Sequence, residues 1–437
     1  MLILKNNVSK IIMKREKNIF IIGNGFDLSL KLKTSFFDFL KSHFFNDDEQ
    51  KISTFFRECC VHIDGNEKLN EVYIYNFFYS RNCKESYIWD KLNLDDNLKR
   101  NISNNLIIFL HVRKNLIDYF NSKQTNHSKY FENIKWSNIE SDLKDFLTEK
   151  SDWYYKKYID SLKEYVLSKF NIDDEIEYFF NYLEEKLIVL QSLKNSLIYF
   201  ENEFANYISN KLLVYGTNEY NKNLFNIKAK WFHILNYLIQ NKYIDIENCK
   251  NYLLSFNYTY TNEDDLNNYL TSKLKTKFEW ISYVHGIADS ILPTCIIGID
   301  DMFVDNKFKE FTKSYQIMTH YNRDNDEWNE LYFNTPLLLK PDYEKIKLFF
   351  YGHSLSQNDW SYFFAIFDKY KLLEEQKLSL YFLYSADDSD SRSSKYCDYK
   401  NIYNLIYFYA KSKKIEEIGR NLFTRLIIEG RIKILFI

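Results

Sequence analysis

Two textures of apolar and polar residues run along this chain. Asn18–Gly23 is a short β-branched apolar run that stops at a glycine, the pattern of a parallel strand buried on both faces. Helix signals follow directly: Thr34 or Ser35 can cap the stretch from Phe36, and Ser35 with Asp38 has capping-box spacing. From about residue 44 to 248 the apolar residues recur at threes and fours, mixed with charge and uninterrupted by proline. That spacing predicts a helical block, and the lack of a fixed repeat period argues against a solenoid. Within it, polar Thr217–Lys230 reads as a loop. Strand-like runs then return at Tyr252–Tyr258, Phe278–Gly286, Thr294–Asp300, Ile346–Ser354, Leu378–Ser385 and Arg431–Ile437. Pro293, Pro336 and Pro341 fall between these runs, where a missing amide donor does no harm. Ser385–Lys400 reads as a polar surface loop with a solvated acidic cluster.

Strand, glycine turn, helix, then further strands separated by helices or loops predict an α/β fold. The expected architecture is a Rossmann-like, mostly parallel sheet with a large inserted all-helical domain. A chain of 437 residues exceeds what one core usually fills. The expected division is an extension at 1–16, a nucleotide-binding domain from 17–43 and 249–437, and the helical insertion at 44–248.

Composition narrows the function. The net charge of −2 carries no basic signature, which argues against nucleic acid as a partner. Six cysteines include no CxxC pair, and the histidines show no metal-ligand spacing, so no metal is expected. No run reaches the length of a membrane span, and the first residues lack the pattern of a signal peptide. A reduced, cytoplasmic setting follows.

Only nine glycines occur in the chain, and five of them (Gly23, Gly25, Gly286, Gly298 and Gly352) end predicted strands of the α/β half. Ligands of open α/β sheets bind at the carboxyl ends of strands, near the reversal of strand order. The first turn, Gly23-Asn24-Gly25-Phe26-Asp27, either admits a phosphate or ribose beside a helix amino terminus or is a tight turn without a ligand. Leu28 stands where a dinucleotide fingerprint has its third glycine. The other strand ends carry Asn257-Tyr258-Thr259, His285-Gly286 and Gly352-His353-Ser354-Leu355. Bland readings stand beside each: a structural histidine at His285, a turn cap at His353, satisfied strand-end amides at Asn257, and helix caps at Asp27 and Asp359. Trp136 and Glu140 share one helical face, where Glu140 is either a solvated acid or a group presented to ribose hydroxyls. Lys313 reads as an exposed lysine rather than a phosphate ligand.

In order, IIGNGFDLSLKLKTSFFDFL, KWSNIESDL, SFNYTYTNEDDL, YVHGIADS, IIGID and LFFYGHSLSQNDWSYFFAIF resemble the AbiH family of bacterial phage abortive-infection proteins. The resemblance spans about residues 18–410 and implies a phage-defence role. The same order of glycine loop, asparagine strand end, His-Gly and Gly-x-Ser is more distantly similar to sirtuin-type NAD-binding proteins. That likeness implies Gly23, Asn24 and Gly25 at the dinucleotide phosphates, Asn257 at the nicotinamide ribose and His285 as the catalytic histidine. Gly352, His353 and Ser354 would flank ribose and phosphates, with Phe26, Asp27, Tyr258, Thr259, Gly286, Gly298, Leu355, Asp359 and Glu140 lining the site. Deacylating sirtuins carry Asp where this chain has Thr259, and the four zinc cysteines are missing, which argues against protein deacylation. The expectation is an adenine dinucleotide as ligand and NAD hydrolysis to nicotinamide and ADP-ribose. The alternatives are a non-catalytic sensor of a nucleotide or ADP-ribose that acts through a protein partner, and, less favoured, nucleic-acid processing. A phage-derived trigger and a homo-oligomer are compatible with each.

Overall fold

The strand predicted at the first apolar run is β1, Glu16–Ile22, in a computed structural model of the chain. The structure describes residues 16–64, 66–70, 73–74, 77, 106–116, 119, 136–147, 186–211, 217–288, 295–304, 306–321, 345–374, 377–385, 392–413 and 416–437. Residues 1–15 of the expected extension, with Pro293, Pro336 and Pro341, lie outside these.

A hairpin of β2 (Cys60–Ile63) and β3 (Asn66–Leu69) stands apart from the main sheet. The remaining strands are β4 (Cys249–Ser255), β5 (Phe278–Tyr283), β6 (Lys345–Tyr351), β7 (Leu378–Tyr384) and β8 (Ile432–Phe436). With β1 they form a six-stranded sheet in the order β5-β4-β1-β6-β7-β8, parallel throughout. The chain builds outward from β1 to β5, then returns to lay β6 on the other side of β1. Strand order therefore reverses between β1 and β6, the Rossmann-like arrangement, and the crevice position is their carboxyl ends.

The helices are α1 (Gly25–Ser29), α2 (Phe36–Phe45), α3 (Glu49–Cys59), α4 (Trp136–Leu147), α5 (Lys186–Lys211), α6 (Asn218–Gln240), α7 (Glu263–Leu274), α8 (Lys313–Tyr321), α9 (Trp360–Lys369), α10 (Arg392–Ser412) and α11 (Glu416–Ile428). Residues 106–116 are also helical. Ser35 caps α2 in the capping box that its spacing with Asp38 predicts.

Alternation along β1 sends Ile19 and Ile21 to one face of the sheet, with α9, α10 and α11, and Phe20 and Ile22 to the other, with α6 and α7. A third core joins α2, α3, α4, α5 and the 106–116 helix, and it takes in Ala288, Cys295, Ile297 and Ile299 from the segment after β5. This helical layer lies at the carboxyl edge of the sheet.

Several expectations change. Thr217–Lys230 is not a loop: Thr217 caps α6, whose buried Ile227, Trp231, Ile234, Leu235 and Leu238 recur at three and four. The polar residues before Ile227, apart from the buried Asn223, form its more exposed start. Thr294–Asp300 adds no strand to the sheet; its described part, 295–300, makes one isolated bridge, Ile299 to Thr312. The Ser385–Lys400 stretch is helical from Arg392, and 386–391 lie outside the described residues. The block at 44–248 contains the β2–β3 hairpin, and its last helix, α6, packs on the sheet. Among the described residues, no helix is long and apolar enough to cross a membrane.

Trp231 is the clearest measure of that packing: its ring lies 5.7 Å from Phe20, 5.3 Å from Phe26 and 4.9 Å from Phe278. Trp231→Ala should cost about 3–5 kcal/mol in urea unfolding, and a loss under about 1 kcal/mol would place α6 off the sheet.

Candidate functional site at the carboxyl edge of the sheet

Where strand order reverses, the loops after β1 and β6 touch backbone to backbone. The Gly25 amide donates to Gly352 O at 2.8 Å. A Cβ on Gly25 would stand 2.7 Å from that same oxygen, and one on Gly23 would stand 2.7 Å from His353 Cα. Gly352 has φ of +64°, and a Cβ there would clash with the Phe26 amide nitrogen. The steric need for these glycines is thus met by the two loops themselves. Asn24 closes the turn: Thr34 Oγ1 donates to its Oδ1 at 2.8 Å. Phe26 belongs to the core on the Phe20 face.

The first polar cluster sits beside this turn. Asp27 is no helix cap; it lies within α1, buried, and accepts from Asn257 Nδ2 at 3.0 Å and from Thr259 Oγ1 at 2.8 Å. Burial pushes its carboxyl up to about 7, against the pull of those two hydrogen bonds. Asn257 follows β4, so the cluster links the ends of β1 and β4.

The second cluster gathers residues from five elements. His285 follows β5, His353 follows β6, Asp359 ends the 3-10 turn Gln357–Asp359, Lys313 begins α8 and Glu140 lies in α4. Asp359 Oδ1 is 2.7 Å from Lys313 Nζ and 3.1 Å from His285 Nε2, while Oδ2 is 3.5 Å from His353 Nε2. Lys313 Nζ also reaches Glu140 Oε1 at 2.8 Å and donates to Asn358 O at 3.1 Å. The exposed lysine expected at this position is in fact 1% exposed. Asp359 does not cap α9 with its side chain; Asp300 Oδ2 accepts the Ser361 amide at 2.8 Å in its place. Glu140 meets Lys313 and the Gly298 amide rather than solvent.

Electrostatics separates these groups. Burial alone would raise the Asp359 carboxyl, but Lys313 and the two imidazoles hold it far below the carboxylate range. Burial pushes Glu140 up to about 7, with the Asp359 charge adding to burial and Lys313 opposing it. Burial would lower Lys313, and the two carboxylates hold it above the usual lysine value. Burial and then Lys313 lower His285, with Asp359 opposing. His353 falls to about 4, chiefly through burial.

The two histidines are not equivalent. His353 Nδ1 accepts the Leu355 amide at 2.9 Å, which puts the neutral ring's proton on Nε2, facing Asp359. Both its nitrogens are committed, as a turn-capping histidine's would be. His285 is engaged at Nε2 alone, and without good hydrogen-bond alignment to Asp359.

Phe256 stands between the clusters, edge-on to His285 at 5.1 Å and to His353 at 4.8 Å, while the next residue, Asn257, faces Asp27. No hydrogen bond or ion pair among the described residues joins one cluster to the other. Three buried polar atoms at this edge lack a hydrogen-bond partner among the described residues: Asn257 Oδ1, His285 Nε2 and the Tyr362 hydroxyl. The Tyr362 ring lies 5.9 Å from that of His285. No group of three or more His, Cys, Asp or Glu side chains among the described residues is arranged to hold a metal.

A model of the bacteriophage abortive infection AbiH family matches residues 19–382. The chain belongs to the AbiH family. Comparisons with curated proteins and with solved structures gave no match. The matched span includes every residue of both clusters, and membership carries the family's phage abortive-infection role.

In this AbiH chain the remaining predicted residues take surrounding places. The Tyr258 hydroxyl donates to Ile296 O at 3.0 Å, Gly286 turns the chain after His285 with φ of 81°, and Leu355 is left-handed at 54°. Ser354 O accepts from Asn401 Nδ2 at 3.0 Å. Gly298 lets the chain pass Phe311 O, 2.7 Å from where its Cβ would be. Sequence reasoning missed Lys313, Asp300 and Tyr362 as members of this edge. A lysine opening an amphipathic helix carries no local sign that it is buried.

Asp27 offers a test of the first cluster. The unfolded chain ionises it near 3.8 and the folded chain near 7, so the native form holds an extra proton between these values. Relative to Asp27→Asn, the wild type should lose stability as pH rises from about 4 to about 7, then level off. Chemical denaturation across that range reads the difference, and parallel pH curves would mean that burial does not perturb Asp27.

Proposed function

We propose that this AbiH-family chain is a cytoplasmic phage-defence protein that binds an adenine dinucleotide at the carboxyl edge of its sheet and hydrolyses NAD to nicotinamide and ADP-ribose. The observation that carries this reading is the unpartnered buried Asn257 Oδ1 on the strand end next to that of His285, whose Nε2 faces Asp359 Oδ1 at 3.1 Å without good hydrogen-bond alignment. Native proteins pair the great majority of buried polar atoms, and an exception calls for an explanation such as a catalytic role or a bound water or ligand.

The chemistry asks little of the protein. As the bond from C1′ to the nicotinamide nitrogen breaks, its electron pair leaves with nicotinamide and positive charge develops on the ribose. A water oxygen then bonds to C1′ and gives up a proton. Burial keeps His285 below its ordinary basicity and therefore neutral at pH 7, the form that accepts a proton from water or a ribose hydroxyl. Asn257, held through Nδ2 by Asp27, presents its carbonyl to a hydroxyl or water without adding charge. The glycine turn and Gly352-His353-Ser354, joined by the Gly25–Gly352 hydrogen bond, wall the site, and Glu140 and Asp359 supply its acidic side.

A second reading, a non-catalytic sensor of ADP-ribose or a nucleotide, is favoured by one observation. The Glu140–Lys313 pair ties the helical layer to the site, as a binding signal passed to a partner would require.

Purified protein incubated with NAD, with and without phage extract, should release nicotinamide. His285→Ala and Asn257→Ala should each lower the rate by about 100-fold or more while the protein stays folded. Binding of ADP-ribose without cleavage in any condition would select the sensor. Neither cleavage nor binding would reject both.

A further inference from the structure

Lys313 makes three contacts from a fully buried ammonium: Asp359 Oδ1 at 2.7 Å, Glu140 Oε1 at 2.8 Å and Asn358 O at 3.1 Å. These partners come from α4 and from the turn before α9, so three segments far apart in sequence meet on one cation. Taking an ammonium and two carboxylates out of water is expensive, and apolar side chains of similar volume would usually pack such a junction at lower free energy. The triad therefore calls for a reason other than stability. Asp359 Oδ1 supplies one, because the same oxygen that binds Lys313 lies 3.1 Å from His285 Nε2. Asp359 is free to do this because Asp300 takes over the capping of α9.

We propose that Lys313 is a positioning residue of the His285 site: together with Glu140 it holds the Asp359 carboxylate against the imidazole. The inference rests on the NAD reading for the reaction it serves, though the position of the imidazole is tested without it. Around His285 stand Phe256 and Tyr258 from the end of β4, His353 from β6, Tyr362 from α9, Asp359 from the preceding turn and Lys313 from α8. The two that carry full charge act in opposite senses: Lys313 disfavours the imidazolium and Asp359 favours it.

The test is a proton NMR titration of the His285 ring, assigned by comparison with His285→Ala, in wild type, Lys313→Met and Asp359→Asn. Lys313→Met should raise the imidazole pKa by about one unit or more, a tenfold change in proton affinity, and Asp359→Asn should lower it. Because Lys313→Met leaves two buried carboxylates facing each other, Lys313→Met/Glu140→Gln is measured beside it and should keep the upward shift with native stability largely restored. In NAD cleavage, the double variant should lose about 10–100-fold in kcat with KM little changed, as loss of an outer-shell partner does. An imidazole that titrates as in wild type in the double variant overturns the proposal, and so does an Asp359→Asn shift as large in the Lys313→Met background as in wild type, because Asp359 would then reach the ring without Lys313. A wild type that cleaves no NAD defeats the reaction alone; an Asp359→Asn shift that shrinks when Lys313 is absent would still establish how His285 is held.

Discussion

Backbone contact between the loops after β1 and β6 is the constraint on which the rest of this edge depends. Two parallel strands that flank an order reversal normally leave a crevice, because their following segments depart in opposite directions. Here Gly25 and Gly352 bring those segments within one hydrogen bond of each other. Any side chain at either position would strike the opposite main chain. The approach sets His353 against Gly23 and fixes the start of the turn that carries Asp359. It also turns Asp27 away from the loop contact and toward Asn257 and Thr259. Both polar clusters are consequences of one close approach.

Asp359 shows how local rules yield at such a place. Its position before α9 is that of a helix cap, and an aspartate there would ordinarily bond the first-turn amides. Instead a second aspartate, Asp300, reaches across from the segment after β5 to satisfy the Ser361 amide. The capping requirement is met, and the carboxylate of Asp359 turns to Lys313 and the imidazoles. A residue relieved of its local task by a distant one of the same type has been put to another use.

The sheet was legible in the sequence because its strands, apart from the exposed edge strand β8, are buried on both faces and read as continuous apolar runs. β1, β4, β5, β6, β7 and β8 each lie within, or within three residues of, a predicted run. Helix α6 was misread because its first turns are polar and exposed; the register of Ile227 and Trp231 becomes evident only with the sheet beneath them. At the site, residue types announced His285, Asn257 and the glycines. Lys313 gave no such sign, since its burial depends on carboxylates that arrive from 173 and 46 positions away in the chain. Such partners are invisible to spacing rules, which see only neighbours on one helix or strand.

The segment after β5 explains both the missing strand and the role of the helical layer. Four consecutive amides find acceptors without a sheet: Ile296 donates to His285 O, Ile297 to Glu201 Oε1, Gly298 to Glu140 and Ile299 to Phe311 O. Two of those four acceptors are buried glutamates of the inserted helices α4 and α5, so side chains do what a neighbouring strand would have done. Burial raises the Glu201 carboxyl well above its usual value, against the pull of its hydrogen bond from the Ile297 amide. Glu140 differs because it meets a cation. The helical layer thus grips this segment at Ile297 and Gly298, and the segment in turn holds the His285 carbonyl through the Ile296 amide. A shift of α4 or α5 reaches the imidazole by two physical routes, through that backbone and through Lys313 and Asp359. The inserted helices are part of the site's construction rather than an appendage to the sheet.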